Sequence, residues 1–244
     1  MRKGEPPTDE NRRQLEFMRN DAIGVFDSGM GGLTAVKELN AILPQENIIY
    51  FGDTARIPYG SRSPETIMRY AREDVAFLRQ HAVKMIIAAC GTVSSVVGDR
   101  PFVTDLPFTG VVLPAAETAC RITKNGRIGI IGTPATVRSG SYEKAIHKLR
   151  PEVAVISQAC PLFVHLVENG YTDFRNPVTR LVAEEYLEPV RKEGVDREIF
   201  TLCKNEKYGQ LIENLENVED SASQMADFAL AGQTVAQQIT MLAA

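Results

Sequence analysis

A cysteine closes an apolar run at Met85-Ile86-Ile87-Ala88-Ala89-Cys90 and is followed by Gly91-Thr92-Val93-Ser94-Ser95. The run reads as a short buried strand, and the small, hydroxyl-rich residues after it read as a turn opening a helix. A sulfur placed there meets unpaired backbone N–H groups and the positive end of a helix dipole, both of which favour thiolate over thiol. The C-terminal ends of parallel strands are also where open α/β sheets bind ligands. Cys90 is therefore a candidate nucleophile or base. A second candidate is Asp27, which ends the apolar run Ala22–Phe26 and leads into Ser28-Gly29-Met30-Gly31-Gly32. Glycines there permit close approach of backbone to ligand. No Lys-Ser/Thr pair follows, so this is not a phosphate-binding P-loop. An acidic Asp27 suits an ammonium group or the orientation of a thiol, and it also suits plain capping of the next helix.

Other loops carry weaker signals. Gly52-Asp53-Thr54-Ala55-Arg56-Ile57-Pro58-Tyr59-Gly60 follows a second strand and reads as a rigid turn. The hydroxyls of Thr133, Thr136, Ser139 and Ser141 suit carboxylate binding and N-capping equally. Glu168 ends an apolar stretch that begins at Cys160 and could tune a nearby thiol. Cys160 itself reads as structural, His81 and His147 as helix-surface residues, and His165 is open.

The elements that position these residues alternate regularly. Strand-like runs are expected at Ala22–Phe26, Ile48–Phe51, Met85–Ala89, Thr109–Leu113, Arg127–Ile131, Val153–Ser157 and Ile199–Leu202. Helical patterns are expected at Leu33–Leu43, Pro64–His81, Ala115–Thr123, Ser139–Leu149 and Val178–Glu193, with one or two closing helices over Ser221–Leu242. Such alternation implies an α/β fold with parallel sheets covered by helices. Ile23-Gly24-Val25-Phe26-Asp27 and Ile128-Gly129-Ile130-Ile131-Gly132-Thr133 open two stretches in the same manner, with cysteines 63 residues after Asp27 and 70 after Thr133. That hints at duplication, with a ligand in the crevice between two lobes.

Composition narrows the function classes. The 244 residues are 44% hydrophobic and 24% charged with net charge −4, and no basic stripe points to nucleic acid. No apolar run approaches membrane-spanning length. The polar, charged stretch 1–20 lacks an apolar signal core and reads as a mobile tail or a surface helix. The four cysteines show no metal-type pairing and are expected as thiols in a reducing cytoplasm.

Taken in order, Ile23–Thr34 (IGVFDSGMGGLT), Gly52–Gly60 (GDTARIPYG), Ala88–Ser95 (AACGTVSS), Gly110–Ala116 (GVVLPAA), Ile131–Tyr142 (IGTPATVRSGSY), Ala159–Glu168 (ACPLFVHLVE) and Asp220–Ala222 resemble the glutamate racemases of the cofactor-independent aspartate/glutamate racemase superfamily. The resemblance covers most of 22–193. It implies two pseudo-symmetric α/β lobes with the active site in the cleft between them. The boundaries expected are a polar extension 1–20, a first lobe of 21–115 plus 215–244, and a second lobe of 116–214. It further implies interconversion of L- and D-glutamate without cofactor or metal, supply of D-glutamate for peptidoglycan, and often a homodimer.

By the same resemblance Cys90 and Cys203 are the acid/base pair, because inversion needs an acid and a base on opposite faces. Asp27 and Ser28 bind the amino group and support the first thiol, and Glu168 assists the second. Pro58, Tyr59, Gly60, Gly91, Thr92 and Thr136 contact substrate. The sequence departs from the family pattern twice. Gly91 stands where the family carries Asn. Lys204 and Asn205 follow Cys203 where the family carries Thr and His, and Lys204 could favour the thiolate. Two rival functions follow from the second departure and from the superfamily: a binding protein without turnover, and a decarboxylase-like enzyme using one cysteine.

Overall fold

The computed structural model describes residues 21–98, 104–171, 173 and 176–200. Two parallel sheets organise them. The first contains β1 (Ala22–Asp27), β2 (Ile48–Gly52), β3 (Val83–Ala88) and β4 (Phe108–Gly110) in the order β2-β1-β3-β4. The second contains β5 (Arg127–Gly132), β6 (Ala154–Ala159) and β7 (Arg197–Phe200) in the order β6-β5-β7. In each, the first strand in sequence is flanked by the next two, which is the repeated arrangement hinted at by the two Ile-Gly openings.

Both faces of the first sheet are covered, which explains its near-continuous apolar strands. Along β3, Met85 and Ile87 pack with Ile23, Val25 and Leu39 from α1 (Leu33–Ile42). Ile86 and Ala88 point the other way, against Ile67, Ala71, Val75 and Leu78 of α2 (Pro64–Leu78) and Val93 and Val97 of α3 (Gly91–Val97). That is the two-residue alternation of a strand. In the second sheet Ile128 and Ile130 pack on α4 (Val112–Ile122) and α6 (Ser141–Leu149), while Ile131 packs on α7 (Pro161–Glu168) and α8 (Pro177–Lys192).

Several expected elements differ in their limits. The strand expected to run to Leu113 ends at Gly110, where a Cβ would lie 2.6 Å from Ser94 Oγ, and Val111 N–H donates to that same oxygen at 3.2 Å. Helix α4 then starts at Val112, and Pro114 is tolerated because first-turn N–H groups have no intrahelical acceptor. The helix expected over Pro64–His81 stops at Leu78. The stretch before Leu149 is divided: α5 (Pro134–Ser139) ends at Gly140, whose φ of +64° is a left-handed conformation suited to glycine, and α6 begins at Ser141. Helix α7 had no counterpart among the expected helices, although its apolar run was visible. The stretches 1–20 and Ser221–Leu242, together with Cys203 and Lys204, lie outside the described residues.

Candidate functional site

Two loops from the first sheet meet beneath a cavity. After β1, the Asp27 carboxylate turns back and its Oδ2 accepts from Gly32 N–H at 2.9 Å. A Cβ on Gly32 would stand 2.8 Å from that of Asp27, so only glycine lets the chain pass this close. Tyr50 on β2 donates to Gly29 O at 2.7 Å and pins the same loop from the side. After β3, Cys90 forms the N-cap of α3 and its thiol donates to Ser28 Oγ at 3.4 Å. Asp27 and Cys90 also interact directly through their side chains.

The electrostatics correct the expectation of a thiolate. Cys90 is 3% exposed, and burial, then the neighbouring Asp27 charge, push its thiol up to about 12. Ser28 and backbone N–H groups oppose this less strongly. Burial also raises the Asp27 carboxyl, against hydrogen bonds from Gly32, Cys90, Ser28 and Gly29. Desolvation outweighs the dipole of a helix only seven residues long. The resting site therefore holds a thiol beside a buried carboxyl group. An ammonium group brought to Asp27 would reverse the sign of the local field and favour ionisation of Cys90.

The cavity above these groups has a volume of about 50 Å³ and lies between the two halves of the molecule. From the first half its walls include Asp27, Ser28, Cys90, Gly91, Thr92 and the Pro58-Tyr59-Gly60 segment. From the second half come Thr133, Val164 and Glu168. The halves touch here. Thr92 Oγ1 and Thr133 Oγ1 are 3.1 Å apart, and a Cβ on Gly60 would come within 2.5 Å of the Thr133 side chain. Further out, Ser141 Oγ donates to Ser95 O at 2.5 Å.

Not every expected residue stands where sequence placed it. Thr133 is on the cavity wall; Thr136 is not. Thr136 is 2% exposed and sits behind Thr133, its N–H donating to Thr133 Oγ1 at 3.3 Å and its hydroxyl 3.1 Å from it. Ser139 and Ser141 cap and bridge, and do not line the cavity. Tyr59 lines it, but the Tyr59 hydroxyl is turned away, within hydrogen-bond reach of the Asp53 and Asp74 carboxyl groups. Glu168 is exposed at the end of α7 and faces Gly29. Cys160 is fully buried at the N-cap of α7, as a packing residue would be. His81 packs edge-on against Phe77 just past α2, and His147 lies 3.1 Å from Val153 O. Cys203 comes three residues after the last described residue of β7, the strand that pairs with β5 as β3 pairs with β1.

Comparison with known proteins agrees with this arrangement. Residues 23–200 match the sequence model of the family described as Asp/Glu/Hydantoin racemase. The chain belongs to that family. A glutamate racemase of Geobacter metallireducens is 43% identical over 221 residues, which span 87% of this chain and 81% of that protein. One from Chlorobaculum tepidum is 46% identical over 219 residues, spanning 87% and 80%. Among solved structures, a glutamate racemase of Bacillus anthracis superposes with a TM-score of 0.79 at 34% identity, covering 91% of this chain and 81% of that one. The Francisella tularensis glutamate racemase, solved in complex with D-glutamate, gives a TM-score of 0.78 at 34% identity, covering 92% and 83%. As a member of this racemase family the chain is a cofactor-independent isomerase by kinship. No helix among the described residues is long and apolar enough to cross a membrane.

Proposed function

We propose that this racemase interconverts L- and D-glutamate by proton transfer at Cα, with Cys90 serving one face and Cys203 the other. The observation that carries the reading is the Cys90 thiol held by Asp27 and Ser28 on the wall of a cavity between the two halves. The glutamate racemase relatives support the substrate.

In the reaction the substrate ammonium neutralises the charge at Asp27, and Cys90 ionises by releasing its proton to solvent water. Its thiolate takes the Cα proton, leaving the electron pair on the carbanion, and the opposite thiol delivers its own proton to the other face. One S–H forms as one C–H breaks, then the reverse occurs across the cleft, so the pair of thiols ends with its proton exchanged. Thr133 donates to Thr92, which leaves the Thr92 hydroxyl hydrogen for a carboxylate, and Glu168, from the second half, assists the second thiol. Gly91 brings no side-chain amide, and Lys204-Asn205 replace the family's Thr-His, so turnover by this chain is slow relative to members that keep them. The second lobe in this reading is 116–214, and the first is 21–115 with 215–244. Supply of D-glutamate for peptidoglycan in the cytoplasm, by a homodimer, is the cellular role that fits.

The test is deuterium incorporation at Cα of L- and D-glutamate in D₂O. The reading expects exchange from both enantiomers and its loss in Cys90→Ser. Folded wild-type protein with no exchange from either enantiomer refutes it.

A further inference from the structure

A second buried carboxylate cluster lies behind the cavity. Asp74 on α2 has no solvent exposure, and Asp53, after β2, has 6%. Each turns its Oδ2 toward the phenol of Tyr59, Asp74 at 3.1 Å. Arg56 reaches both: Nε donates to Asp53 and Nη2 donates to Asp74 at 2.9 Å, while Nη1 donates to the half-exposed Glu73. Its guanidinium lies 4.2 Å over the ring of Tyr70, which packs 5.1 Å from the ring of Tyr59. Asp74 thus faces Asp53 and Arg56 from the turn after β2, Tyr59 from the next turn, and Glu73 on its own helix. No three His, Cys, Asp or Glu side chains among the described residues are arranged to hold a metal, and in this cluster Arg56 takes the central place.

Proton counting decides what the cluster does. A phenol has one hydrogen, yet here it meets two carboxylate oxygens. Arg56 brings one positive charge to two buried carboxylates. With both ionised, one Oδ2 faces the phenol oxygen without a hydrogen between them. One added proton satisfies every pair in a single direction: Asp74 donates to Tyr59, Tyr59 donates to Asp53, and Arg56 donates to both acids. Burial first, then the charge on Asp53, push the Asp74 carboxyl up to about 7. Tyr59 is also on the cavity wall, between Pro58 and a Gly60 that abuts Thr133.

We propose that Asp74, carrying the odd proton of an Asp74–Tyr59–Asp53 chain, is a positioning residue that holds the Pro58–Gly60 wall against the substrate. The kinetic readout rests on the glutamate reading above; the protonation readout does not. Between about pH 5.5 and 8.5 glutamate keeps its own charges. Over that range the wild-type KM, and the Kd by calorimetry, rise as pH passes upward through about 7, with kcat unaffected by this group. Asp74→Asn supplies a permanent donor, so its KM and Kd stay low and flat. Asp74→Ala removes the donor and raises both roughly five- to tenfold at every pH, the effect of one lost hydrogen bond. In substrate-free protein labelled with ¹³C at aspartate Cγ, one carboxyl signal titrates near pH 7; Asp74→Asn removes it, and Tyr59→Phe, which keeps the ring, shifts it. The proposal is overturned if no such signal exists, if the inflection survives in Asp74→Asn, or if that variant raises Kd as much as Asp74→Ala. Absent turnover with these titrations intact would count against the function and not against Asp74.

Discussion

The two halves end their first strands in different chemistry at the same place. β1 ends in Asp27, β5 ends at Gly132 with Thr133 next in the chain, and both side-chain oxygens turn onto the backbone that follows, at Gly32 and Thr136 respectively. Asp27 can also bear charge, and it lies against a thiol. Thr133 cannot, and it spends its hydroxyl on Thr92 across the cleft. One strand end therefore does acid–base work while its counterpart docks the halves together. A repeated βα unit fixes the place of a side chain, and the side chain decides the use.

The comparison breaks most visibly at Cys90. Cys90→Ser removes a general acid–base group, so turnover should fall by about 10²–10⁴-fold, with thermal stability nearly unchanged; a stopped assay of both directions beside a melting curve checks this. Asp27→Asn sharpens it through opposite signs. Turnover should fall by about 10²-fold. The Cys90 thiol, freed of a neighbouring charge, should ionise at lower pH and alkylate faster with iodoacetamide in ligand-free protein. If alkylation slows, the charge is not what holds the thiol up. Gly60→Ala tests the docking role by pushing a methyl group onto Thr133. Overpacking there should cost about 1–3 kcal/mol, read as a lower unfolding midpoint, and should raise KM. Thr133→Ala is the mildest. It loses the cap of α5 and the contact with Thr92, for about 1 kcal/mol, and should leave Cys90 alkylation unchanged.

Much of this was legible before any coordinates. Asp27 and Cys90 stood out because each ends an apolar strand, where α/β sheets present ligands, and strand ends survive small errors in element limits. Thr133 and Thr136 could not be told apart, since both open one helix and only packing shows which hydroxyl meets the cavity. The ionisation state of Cys90 was misjudged for a similar reason. The helix dipole is a local property, whereas burial and the charge of Asp27 come from folding. Asp74 left no signal at all: an aspartate between Glu73 and Val75 in an amphipathic helix reads as surface, and only the chain's return brings Asp53, Arg56 and Tyr59 to it. The helix expected from Ser139 begins at Ser141 instead, because Ser139 closes the short α5, which had no expected counterpart, and Gly140 separates the two.

The central claim is that two thiols on opposite faces of Cα share the work. Early-time isotope analysis in D₂O tests it most directly, starting from either enantiomer and measuring label in residual substrate and in product separately. Two opposed thiols put solvent deuterium into the product while the residual substrate stays almost unlabelled. Equal labelling of both pools at low conversion would mean a single base working on both faces, and would contradict the account.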